Sequence, residues 1–176
     1  MDLFAAQNSY APTPVVGRWD GGLGQLLHGD GTGTFTPVSV AQSRLVVPGD
    51  AKAVLALGPN EDGWADIWVS RNNQPSLFFE NGGMTGNHPL QVRLTGRGTN
   101  PTASGARVMV EYASGRREMQ EVRAGSGWMS QSSSSCFFGY SEKDPAATVH
   151  VRWPDGRDTR HVVVRDTPVM RIAQPD

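Results

Sequence analysis

Asn60, Asp62 and Asp66, with Gly63 among them, form the segment of this chain whose residue types and spacing most clearly suit chemistry. A hard cation gathers about six to eight oxygen ligands. Oxygen side chains on alternate residues, a glycine for the sharp bend and a further carboxylate let one short loop supply several of them. Two strand-like runs flank the loop, Ala53-Val54-Leu55-Ala56-Leu57 before it and Ala65-Asp66-Ile67-Trp68-Val69 after it. The segment therefore reads as a calcium-type turn within a repeated β structure.

Other reactive residue types do not assemble into a pattern of this kind. Cys136 is the single cysteine, so no internal disulfide can form. It lies between Ser132-Ser133-Ser134-Ser135 and Phe137-Phe138, without the neighbouring base that a nucleophilic thiol needs, and reads as a small buried apolar side chain. His28, His88, His150 and His161 are scattered, with no zinc-type spacing. Glu111, Glu118 and Glu121 could pair for acid–base work, but their strand positions suit cross-strand pairing with Arg116, Arg117 or Arg123. The serines at 130–135 contain no Gly-x-Ser-x-Gly elbow. Trp64, Trp68, Trp128 and Trp153 offer faces that could stack on a sugar. Trp153 continues a buried-looking alternation, whereas Trp128 follows Gly125-Ser126-Gly127 in a loop. No catalytic residue is assigned.

The elements that must position the loop are β-strands. With 21 glycines, 12 prolines and 38% hydrophobic residues among 176, the chain favours turns over helices. That length accommodates two compact β units. A net charge of −1, from 16 basic and 17 acidic residues, gives no global field for nucleic acid or an anionic membrane. No apolar run approaches the ~20 residues of a spanning helix, and the first residues do not read as a secretory signal. Taken alone, the sequence reads as soluble and non-exported.

Strands are expected at 2–8 and 24–28, the latter turning through Gly29-Asp30-Gly31-Thr32-Gly33 into 34–38 as a hairpin, with a loop marked by Pro12 and Pro14 between the first two. Strands at 52–57, 65–70 and 76–80 follow in an up-and-down rhythm like that of a propeller blade. After Asn81-Gly82-Gly83 the pattern changes, and further strands are expected at 90–94, 106–112, 118–123, 148–153 and 161–165. The segment 168–176 carries no assignment.

The second half resembles the ASPIC/UnbV domain found in cartilage acidic protein and in bacterial proteins with FG-GAP or VCBS repeats. The residues that carry the likeness are Leu90-Gln91-Val92-Arg93-Leu94-Thr95-Gly96, Asn100 with Gly105-Ala106-Arg107-Val108, 121–131, and Val151-Arg152-Trp153-Pro154-Asp155-Gly156. They lie within residues 87–158. Where the family has His-Phe-Gly-Leu-Gly, this chain has Phe137-Phe138-Gly139-Tyr140-Ser141, so no role for that histidine carries over. The first half resembles FG-GAP/VCBS repeats, with Gly29-Asp30-Gly31-Thr32-Gly33-Thr34-Phe35 as one turn. The family loop opens on an aspartate two positions before Asn60, where this chain has Gly58. The ligands implied are then Asn60, Asp62, the Trp64 carbonyl and Asp66, a calcium site weakened by the loss of one carboxylate; the other reading of the same residues is a turn held by Asx hydrogen bonds alone.

The resemblance implies an all-β chain with about two propeller-blade-like FG-GAP units at 1–83, an ASPIC/UnbV module at 84–167 and a tail at 168–176. Two blades do not close a ring. Upstream blades are therefore expected to be missing or supplied by another chain, and the first 80 residues are expected to be less stable than the rest. The function implied is an extracytoplasmic, extracellular or periplasmic, calcium-assisted module that binds a protein or glycan without catalysis. Two alternatives stand beside it: an enzyme or accessory protein of secondary metabolism, and an inactive truncated piece of a longer propeller protein.

Overall fold

A computed structural model describes residues 2–8, 15 and 22–176. The loop expected around Pro12 and Pro14 lies outside them. The described residues are almost all β, as the sequence predicts. They contain thirteen strands, one single-turn helix and no closed barrel. No described helix is long and apolar enough to cross a membrane.

The chain divides into two compact units. The first comprises Met1–Leu55, Ile67–Phe79 and Gly127–Ser130. In it, β1 (Leu3–Ala5), β2 (Gln25–Gly29) and β3 (Phe35–Val38) form an antiparallel sheet in that order. The β2–β3 reversal is held by Asp30, whose Oδ1 accepts from the Thr32 amide at 2.7 Å, an Asx turn of the kind the Gly-Asp-Gly sequence favours. Ser39 then caps the short helix α1 (Val40–Ser43) through a capping box with Gln42. The strands β4 (Ala51–Leu57), β5 (Asp66–Arg71) and β6 (Gln74–Phe79) make a second three-stranded sheet. Val47, Ala51 and Val69 are buried at the unit's centre, with Phe4, Val54, Ile67 and Phe79 partly buried against them.

The second unit comprises Ala56–Asp66, Glu80–Ser126 and Gln131–Asp176. Its strands are β7 (Asn87–Thr95), β8 (Arg107–Tyr112), β9 (Arg117–Glu121), β10 (Cys136–Ser141), β11 (Ala146–Arg152), β12 (Asp158–Val162) and β13 (Val169–Ala173). One sheet has the order β12-β11-β8-β9, and the other the order β10-β7-β13. Strict alternation decides which face is buried. Val108, Val110 and Tyr112 of β8 point inward with Val149 and Val151 of β11. The same core takes in Leu90, Val92, Phe138, Trp153 and Ile172.

Two of these strands were not legible in the sequence. β10 hides behind the serine tract and is interrupted by Gly139, yet Cys136, Phe138 and Tyr140 are all buried. β13 occupies the unassigned 168–176 segment and pairs parallel to β7, with Ile172 opposite Leu94. A parallel partner lies distant in sequence and carries no turn signal to announce it.

Candidate functional site

The cation-type loop lies between the end of β4 at Leu57 and the start of β5 at Asp66. Two residues in it take positive φ, Glu61 at 60° and Gly63 at 86°. Gly63 has a second reason to be glycine, because a Cβ there would stand 2.5 Å from the Pro168 carbonyl oxygen. Glu61 is paired with two arginines of the second unit. Its carboxylate accepts from Arg171 at 2.6 Å and from Arg93 at 3.0 Å, and these guanidiniums hold its pKa below the usual range.

Inside the loop, the Trp64 amide donates to Asp62 Oδ1 at 2.9 Å, and the Asp62 amide donates to Asn60 Oδ1 at 3.4 Å. The Asn60 side-chain amide bridges two carboxylates, donating to Asp62 Oδ2 at 2.9 Å and to Glu80 Oε1 at 3.2 Å. Asp66 is fully buried, at 0% exposure. Its Oδ1 accepts from the Asn81 main-chain amide at 2.8 Å. Its Oδ2 is the one buried side-chain oxygen or nitrogen among the described residues without a hydrogen-bond partner. Burial raises the Asp66 pKa above the ordinary carboxyl value; the Asn81 amide opposes that, and the charges of Asp62 and Glu80 add to it.

An ionised carboxylate with an orphaned buried oxygen is costly unless a charge or donor meets it. A cation meets that need directly. Asn60, Asp62 and Asp66 carry the kind of oxygen donor that calcium takes, although Asp62 commits both of its oxygens to the Trp64 amide and the Asn60 side-chain amide. They do not form a finished cage: no group of three or more His, Cys, Asp or Glu among the described residues is gathered at metal-holding geometry.

Position 58 is crowded. Gly58 is buried, and a Cβ on it would lie 2.8 Å from Gln91 Nε2 and 3.0 Å from the Phe137 ring. Gln91 is itself fully buried, donates to Ser135 Oγ at 2.9 Å and accepts from Arg93 at 3.2 Å. The Gly58 carbonyl accepts from the same guanidinium at 2.8 Å. The serine tract thus has structural work: Ser135 satisfies a buried amide, and Ser132 Oγ accepts from the Ala56 amide at 3.1 Å.

The other sequence candidates stay apart. Cys136 is 2% exposed, and burial pushes its thiol up to about 12, far from nucleophilic use. Glu111 accepts from Arg117 at 3.3 Å and Glu121 from Arg107 at 3.4 Å, which are cross-strand ion pairs between β8 and β9, and Glu118 pairs with Arg116 two residues before it. His88 stacks on Tyr140 at 5.2 Å, while His150 meets Glu111 at 3.3 Å. Trp153 is core, donating Nε1–H to Thr159 at 3.0 Å. Trp68 packs on Phe78 at 5.9 Å, and Trp128 is 77% exposed. Trp128 borders a groove of about 330 Å³, within the first unit, that also involves Phe4, Ala6, Ala51, Lys52 and Val54.

Sequence reasoning missed Glu80 and Asn81 at the loop. Both lie in the turn after β6, where nothing in the local spacing ties them to residues 60–66; only the β5–β6 pairing brings them alongside Asp66.

The all-β fold and this loop frame the comparison with known proteins. Residues 96–176 match the protein-family model described as ASPIC and UnbV. The match begins just after β7 and runs through β13 to Asp176. No curated protein matches the chain.

Proposed function

We propose that the chain is a calcium-assisted binding module that works outside the cytoplasm, docks a protein or glycan, and carries out no chemistry of its own. In this reading the segment before the ASPIC and UnbV region consists of FG-GAP or VCBS-type blade units, and the loop at 60–66 is their metal site. The observation that carries it is Asp66 Oδ2, a buried carboxylate oxygen with no partner in a loop of further oxygen donors. Two three-stranded sheets, β1-β2-β3 and β4-β5-β6, supply the short meandering strands that blade units use. The groove beside exposed Trp128, at the lower end of the roughly 300–1,000 Å³ of small-ligand sites, suits an aromatic contact with a sugar or peptide.

Calorimetric titration with calcium chloride, with melting temperature followed in parallel, tests the reading on the native chain and on Asp62→Ala. The expected result is saturable heat and a calcium-dependent rise in melting temperature, both lost in the variant. Absence of heat and shift in the native chain would sink it.

A further inference from the structure

We infer that the pocket between the end of β9 and the serine tract is a binding site for a tetrahedral oxyanion, a sulfate or phosphate group, held by Arg123 and by hydroxyls of serines 132–135. The site lies wholly within the second unit, goes beyond the reading above and does not depend on calcium.

The pocket measures about 150 Å³, and its lining includes Glu121, Arg123 and serines 132–135. Small-ligand sites run from roughly 300 to 1,000 Å³, so this one admits a single group and not a whole sugar or peptide. Its walls are fixed from behind. The Phe137 amide donates to Gln120 Oε1 at 3.0 Å, and the Val122 amide to the Ala106 carbonyl at 2.9 Å. The fully buried Gln91 holds Ser135 Oγ through its side-chain amide at 2.9 Å. A lining held this way is preorganised, and little ordering cost opposes binding.

The lining carries donors in surplus. A hydroxyl offers one donor and two acceptor positions. Ser132 Oγ accepts from the Ala56 amide at 3.1 Å, and Ser135 Oγ accepts from Gln91 and from the Ser133 hydroxyl, each at 2.9 Å. Neither of their protons has an acceptor among the described residues, and Ser134 makes no hydrogen bond with any of them. The Arg123 guanidinium is exposed and meets no carboxylate or carbonyl among them. Glu121, the acid of the lining, is engaged by Arg107 at 3.4 Å. One uncompensated positive charge therefore stands at a pocket lined by hydroxyls whose protons are unspoken for. Its complement is a small anion rich in acceptor oxygens, and a planar carboxylate offers fewer of these than sulfate or phosphate.

Nitrogen-edited NMR of the full chain tests this, in calcium-free buffer at constant ionic strength. The titrants are sodium sulfate, sodium phosphate, glucose 6-sulfate and glucose 6-phosphate, with sodium chloride and glucose as controls. The expected result is saturable shifts at Arg123 Nε and at the amides of 132–135 with the sulfate or phosphate group, and none with chloride or glucose. Arg123→Gln is expected to weaken binding by roughly tenfold or more, as follows from losing hydrogen bonds to a charged group. Arg123→Lys should weaken it less, because the charge stays while the fork is lost. Ser134→Ala is expected to weaken it by about two- to tenfold, the worth of one hydrogen bond. Neither side chain has a protein partner to lose, so these variants should keep the native melting temperature. Arg165→Gln, an exposed arginine elsewhere in the second unit, should bind like the native chain. Sugar esters that bind at least as tightly as the inorganic ions would support a substituted glycan as the source of the group, and binding of the inorganic ions alone would support the free ion. No saturable shift with any of these anions would overturn the inference, and so would an Arg123→Gln chain that binds as tightly as the native one; either result leaves the calcium reading untouched.

Discussion

At the scale of single residues, Asp66 sets the behaviour of the loop. Its carboxyl is held above its ordinary pKa by burial and by the charges of Asp62 and Glu80. Below the ordinary carboxyl range the group is protonated both folded and unfolded, and its raised pKa costs the fold nothing. As pH rises through that range the unfolded chain ionises first, and the cost grows until the folded group ionises too. Asp66→Asn keeps an acceptor for the Asn81 amide and removes the charge. Without calcium at neutral pH, this variant is expected to be the more stable by about 1–3 kcal/mol, the scale of an unsatisfied buried group. Acidification below the ordinary carboxyl range should erase the difference, and calcium should reverse it. Paired melting curves across pH check this; a pH-independent difference would count against an ionised Asp66 as its source.

At the scale of elements, β13 shows how a weak-looking segment becomes structural. Val169-Met170-Arg171-Ile172-Ala173 has one fully inward residue, Ile172 at 4% exposure, opposite Leu94 in the parallel pairing with β7. Pro168 adds two contacts of its own: its carbonyl accepts from the Gln91 amide at 2.7 Å and closes over Gly63. Ile172→Ala is expected to destabilise the second unit by about 2–4 kcal/mol, the range for truncating a large aliphatic core residue. Chemical denaturation followed by Trp153 fluorescence measures it. A loss under half a kilocalorie would mean that β13 lies on the sheet without closing the core.

At the scale of the whole molecule, the two units differ in how much they bury. Among the described residues, seventeen buried hydrophobic residues make the core of the second unit and three make that of the first. Since apolar burial is the main favourable term in folding, amides of β1, β2 and β3 are expected to exchange hydrogen well before those of β8 and β11. Native-state hydrogen exchange read by mass spectrometry checks the order. Calcium should slow exchange in β5 and β6 more than in β1 to β3. Uniform protection across both units would contradict the difference in core size.

The sequence by itself determined the all-β class and most strands, and it singled out 60–66 as a turn rich in oxygen side chains, because alternation and turn residues act over a few neighbours and leave a local imprint. Val108, Val110 and Tyr112, or the Gly-Asp-Gly turn before β3, needed no tertiary context. Tertiary structure alone decided the rest. It disclosed β10 behind its serines and β13 as a parallel partner of β7, and it showed that a side chain at position 58 would press on Gln91 and Phe137. It also set Glu80 and Asn81 beside Asp66, since contacts across a hairpin depend on strand register and burial, which no local spacing encodes.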